Sequence, residues 1–195
     1  MSDDYVDDDF DVADYPSLVA GVRFTKSLPL LPWFAHTGRP LERELCEDAA
    51  MYATALGFPD AGAVLGEWAE AAAIAADPDL ASREREAELV RALADEAAAT
   101  VGADNVQAAL NDAGAAIGRI VPDRVRERLA ALGALDGDTE ALVAAAADAA
   151  YGACQGGLLV VLAVAEEDHV FARKFRLFER GRWPIGIIGH TLLLL

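Results

Sequence analysis

Lysine is nearly missing from this chain: Lys26 and Lys174 stand beside fourteen arginines in 195 residues. With the abundance of alanine, that bias fits a GC-rich bacterial coding sequence. Cysteine is equally scarce. Cys46 and Cys154 lie far apart, which speaks against a zinc pattern or a disulfide framework and suits two reduced thiols in a cytoplasmic protein. Serine occurs only at 2, 17, 27 and 82, never within G-x-S-x-G, so a nucleophile elbow is excluded. The glycines form neither a P-loop nor a dinucleotide fingerprint. Of three histidines, His36, His169 and His190, only one follows a glutamate at helical spacing, in Glu166-x-x-His169. A ferritin-like di-iron site needs two such pairs and two further glutamates. No metal and no cofactor is therefore expected.

Long apolar runs are also lacking. The longest uncharged stretch, Ala149–Ala165, has 17 residues and includes Gln155 and three glycines. That falls short of the ~20 residues that span a bilayer. The N-terminus carries acids where a signal peptide needs bases. The expected location is cytoplasmic, without a membrane.

What the chain has is alanine, leucine, valine and acid. Hydrophobic residues make up 54% and aromatics only 7%, a helix-forming composition with material for a core. The formal net charge is −17. Nucleic acid and anionic membranes bind through Lys and Arg, so this surface repels both and favours a basic protein partner. Residues 1–14 hold seven aspartates, interrupted by Tyr5, Val6, Phe10 and Val12. Residues 1–15 therefore read as an acidic, disordered leader or as an arm that docks on a basic surface. Residues 16–195 read as a single helical domain.

Within it, 16–38 read as irregular, because Pro29 and Pro32 interrupt an apolar strap. Helices are expected over about 40–56, 60–76, 80–101, 103–117, 123–132 and 139–167, punctuated by Gly57, Asp77-Pro78-Asp79, Pro122 and Gly133. The last is apolar on every face and should be central, with Gly152 and Gly156 admitting a close neighbour. Asp148 and Gln155 on it would need partners if buried. Beyond Asp168 the pattern changes. Arg180-Gly181-Arg182 signals a turn, and Pro184–Ile188 and Thr191–Leu195 read as strands joined by Gly189-His190. The expected fold is mainly α: a bundle of about six helices with a small C-terminal β-hairpin, the hairpin region covering about 171–195.

Arg173, Lys174, Arg176, Arg180 and Arg182 fall within ten residues, opposed only by Glu179. In so acidic a protein, their first expected role is to neutralise carboxylates of neighbouring helices. As a ligand or partner surface, Arg173, Arg176, Arg180 and Arg182 group with Trp183, His169 and Glu166. Charge, size and missing chemistry favour a non-enzymatic binding or inhibitory module, as immunity proteins are by charge and size. A helical small-molecule-binding or enzymatic domain, with a pocket beneath the hairpin, is the alternative; a nucleic-acid mimic is a second. The apolar end, Leu192–Leu195, leaves one strand edge to cover, and a symmetric homodimer through the hairpin is the expectation.

Overall fold

The computed structural model describes residues 15–68, 70–71, 80–133 and 139–195. Among the described residues, six helices and a small sheet make up the fold: α1 (Pro16–Ser27), α2 (Arg43–Ala55), β1 (Gly62–Leu65), α3 (Leu80–Val101), α4 (Ala103–Ala131), α5 (Thr139–Ala163), α6 (Val170–Glu179), β2 (Pro184–Ile188) and β3 (Thr191–Leu194). The architecture is mainly α with a small C-terminal sheet. The leader, 1–14, and the Asp77-Pro78-Asp79 break lie outside the described residues.

α5 is the axis of the bundle. It packs against α1, α3, α4 and α6, which explains why no face of it is polar. Glycine sets how near two of those neighbours come. A Cβ on Gly156 would stand 2.8 Å from the Phe171 ring of α6. One on Gly157 would stand 3.1 Å from Phe175 and 3.2 Å from Phe24 of α1. The first separation is too short for a methyl group and the other two are tight, so the rings rest against bare backbone. By length and composition α5 could cross a membrane; 56% of its most apolar stretch is buried inside the protein instead.

Several elements differ from the sequence reading, each for a physical reason. Residues 16–27 form a helix, not an irregular strap. Pro16 stands in its first turn, where a missing N–H costs nothing, and the helix stops ahead of Pro29. The strap that follows is a 3-10 turn at Leu28–Leu30. The expected helix pair around Pro122 is one continuous helix, α4, with the proline inside. The ring crowds the carbonyl four residues back, and that residue is Gly118, the least encumbered site available. Gly62–Leu65, expected inside a helix, is a strand. It pairs parallel to β3, Gly62 with Thr191 and Leu65 with Leu194. β2 pairs antiparallel to β3, so the sheet order is β1-β3-β2 and β3 is central. The second edge of β3 is thus covered from within the chain, by β1. Residues 170–179 are helical, with Phe171, Phe175 and Phe178 at helical spacing. The hairpin is confined to 184–194 and turns on Gly189, at φ +58°.

Three helices end alike. Gly57 (φ +96°), Val164 (φ +54°) and Gly181 (φ +70°) adopt the left-handed conformation. In each case the next N–H returns to the carbonyl five residues back: Phe58 to Ala53 at 2.9 Å, Ala165 to Val160 at 3.0 Å and Arg182 to Leu177 at 3.0 Å. Two of the three use glycine. Val164, β-branched and exposed, pays a steric cost there. It also ends α5 at Ala163, so Glu166 and His169 sit in a turn rather than one helical turn apart.

Candidate binding cleft beneath the hairpin

The basic cluster is built into the frame. Lys174 Nζ lies 2.9 and 2.8 Å from the two carboxylate oxygens of Glu86 on α3. Arg180 faces Glu44 at 3.7 Å and Asp48 at 3.3 Å on α2, the latter without hydrogen-bond geometry. Arg173 donates to the carbonyl of Asp168 at 2.7 Å and to its carboxylate at 3.1 Å, and Arg176 donates to the Glu167 carbonyl at 3.0 Å. Arg182 is buried; its two terminal nitrogens donate to the carbonyls of Arg39 at 2.7 Å and Pro40 at 2.8 Å. Burial pushes its guanidinium down from the ordinary arginine value, with Glu42 opposing that shift. From α4, Arg128 likewise donates to the Thr37 hydroxyl at 3.1 Å and to the Thr37 carbonyl. These arginines sew the loop 32–40 to the bundle.

The remaining candidates are scattered. Glu166 is exposed. His169 caps α6, its Nδ1 accepting from the Phe171 N–H at 3.3 Å. Burial lowers its pKa, while Glu96 and Asp168 pull the other way. Among the described residues no group of His, Cys, Asp and Glu could hold a metal. Cys154 is buried and its thiol is pushed well up by that burial, an unreactive core position. Trp183 is the one member of the candidate set that borders a large cavity. It is buried edge-on to Phe34, with ring centroids 5.9 Å apart.

That cavity is a cleft of about 1170 Å³ between α3, α5 and β2. α3 presents Arg83, Glu86, Ala87, Val90 and Arg91, one stripe at helical spacing. α5 supplies the floor: Ala145, Asp148, Ala149, Gly152 and Gln155. A Cβ on Gly152 would meet nothing within 4 Å, in contrast to Gly156 one turn on. The opposite wall is formed by every residue from Trp183 to Gly189. Leu192 of the central strand β3 borders it as well.

Tyr52, Lys174 and Glu86 close one end. The buried Tyr52 hydroxyl donates to the same Glu86 carboxylate that holds Lys174. Burial raises the Tyr52 pKa well above the tyrosine range, and the Glu86 charge and hydrogen bond add to the rise. The phenol therefore stays protonated at neutral pH. Gln155, half-buried on the floor, has no hydrogen-bond partner among the described residues. Arg83 and Arg91 have no ion-pair partner among them either; Arg91 Nε reaches only the Ala87 carbonyl, at 3.2 Å.

Sequence reasoning passed over most of this. By alternating charge, residues 83–89 of α3 read as a solvated face, and five of the seven are exposed; the stripe 83-86-87-90-91 could have been separated from it by spacing alone. Gln155 was visible as an oddity on an apolar helix. Tyr52 carried no signal. Comparison with family models, curated protein sequences and solved structures finds no match to this chain.

Proposed function

We propose that the protein is a non-catalytic cytoplasmic binding module that takes its ligand in the cleft beneath the C-terminal hairpin. The observation that carries this reading is the unfilled floor of α5. The cleft is somewhat larger than the 300–1000 Å³ usual for small-ligand sites, and it stands open over Ala145, Ala149 and Gly152, where larger side chains would fill it. A concave site also fits the reading better than a flat acidic face or a surface that imitates nucleic acid. The titratable groups at its end favour binding over catalysis. Lys174 and Glu86 neutralise each other, and Tyr52 is held away from the pKa a general base needs.

Gly152 offers the test. A tryptophan there projects into open space, so Gly152→Trp is expected to keep the melting temperature within a few degrees. It is also expected to abolish saturable, one-to-one binding of the fluorescent probe anilinonaphthalene sulfonate by the full chain. Undiminished probe binding in the folded variant would remove the cleft as the binding site.

A further inference from the structure

β2, the strand in that wall, has an edge that is unpaired among the described residues. β3 is bonded on both sides, whereas β2 has one neighbour among the described residues. Alternate residues of an antiparallel edge strand turn both N–H and C=O away from their partner, and every residue of β2 borders the cleft. Pro184 lacks a donor, and the register shifts between Pro184 and Gly186, so Gly186–Ile188 is the stretch open to pairing.

The dimensions suit another strand. β2, five residues long, runs about 17 Å. Spread over that length, 1170 Å³ is a cross-section of about 70 Å². One strand within a packed layer occupies about 4.8 by 10 Å. Charge narrows the choice further. Glu86 is neutralised by Lys174, while Arg83 and Arg91 are exposed and without ion-pair partners among the described residues. Eight residues apart on α3, they are separated by about 12 Å along the helix axis. In an extended chain, residues four apart share a face and lie about 13 Å apart. The floor sets the opposite requirement. Its small residues accept apolar side chains, and the exposed carboxylate of Asp148 disfavours an acid there.

We infer that the cleft receives an extended peptide segment of a partner protein, which pairs with the open edge of β2 and carries carboxylates four residues apart for Arg83 and Arg91, with apolar residues alternating between them. This rests on the cleft being the binding site, and it names the ligand as polypeptide read through its backbone.

A labelled ten-residue peptide, with valine at alternate positions and two glutamates four residues apart, is titrated with the full chain and followed by fluorescence anisotropy. Saturable binding is expected, with displacement of anilinonaphthalene sulfonate. N-methylation of alternate backbone amides on one edge of the peptide is expected to abolish it. The double variant Arg83→Glu, Arg91→Glu is expected to weaken it at least ~10-fold, and Arg119→Glu, elsewhere on the exposed surface, to leave it unchanged. Melting curves of the variants establish that they fold. Equal affinity for the peptide methylated on either edge overturns strand pairing. Indifference to the α3 charge reversals overturns the acidic specificity. Failure of every peptide to bind, while the probe still occupies the cleft and still depends on Gly152, overturns the peptide ligand and leaves the cleft as a site for something else.

Discussion

The two halves of α5 use the same kind of residue to opposite ends. In the C-terminal half, Gly156 and Gly157 let Phe171, Phe175 and Phe24 settle on the helix backbone with no space left. In the N-terminal half, Ala145, Ala149 and Gly152 stand before an open cleft. A small residue in a helix is therefore ambiguous by itself. It removes volume, and what replaces that volume is decided by elements far away in sequence: aromatic α6 over one half, a cleft walled by α3 and β2 over the other.

Side-chain volume separates the halves most strongly. Gly156→Leu forces its side chain into the Phe171 ring and is expected to destabilise the fold by ~3 kcal/mol or more, read from denaturant midpoints. Gly152→Leu is expected to cost nothing, or to add up to ~1 kcal/mol by replacing a helical glycine. Equal losses at both positions would break the contrast.

Next in size is the buried guanidinium on the packed side. Arg182→Met leaves the Arg39 and Pro40 carbonyls without their donors and is expected to cost ~2–3 kcal/mol. Earlier proteolysis within 32–40 would be the local sign, followed by mass spectrometry of a timed digest.

On the cleft side the corresponding test is titration. Tyr52 has its folded pKa raised, so its neutral form is the one favoured by folding. The associated stability is complete below the ordinary tyrosine value near 10 and falls away as pH climbs beyond it. Tyr52→Phe is expected to cost ~1 kcal/mol at pH 7 and to flatten the loss of stability above about pH 10. An unchanged alkaline limb would mean that other groups carry it.

The smallest expected effect lies at the end of α5. Val164→Gly relieves a β-branched residue at φ +54° and is expected to raise stability by ~0.5–1 kcal/mol, seen as a small rise in melting temperature. The analogous exchange in the other direction, Gly181→Val, is expected to be damaging, since a Cβ there would stand 2.8 Å from the Pro32 carbonyl oxygen.

Local signals in the sequence carried as far as local physics does. α3 begins and ends where its periodicity does, at Leu80 and Val101, and Gly57 closes α2 as a left-handed glycine should. The hairpin turn at Gly189-His190 follows from the turn residues alone. Gly62–Leu65 escaped notice because Ala, Val and Leu between glycines suit either a helix or a strand, and the deciding partner lies at the other end of the chain. The sewn arginines were legible as a charge imbalance but not as carbonyl ligands, since a loop's orphan carbonyls leave no trace in composition. Beyond the alternative of a pocket beneath the hairpin, the cleft was legible as Gln155 and Asp148, polar residues on an otherwise apolar α5.

The parallel pairing of β1 with β3 also has a consequence in time. Thr191 joins Gly62 across 129 positions, and the strand that arrives last enters the middle of the sheet. Until it does, Val64 and Leu65 on one side and β2 on the other have no ladder to join. During synthesis the helices can assemble as they emerge, whereas the sheet waits until Thr191–Leu194 has emerged. Loop closure over that distance makes it the slow step, and two uncovered apolar strands make it the step exposed to misassociation. A growing chain of this kind has most to gain from chaperone protection in the interval between the completion of α6 and the arrival of β3.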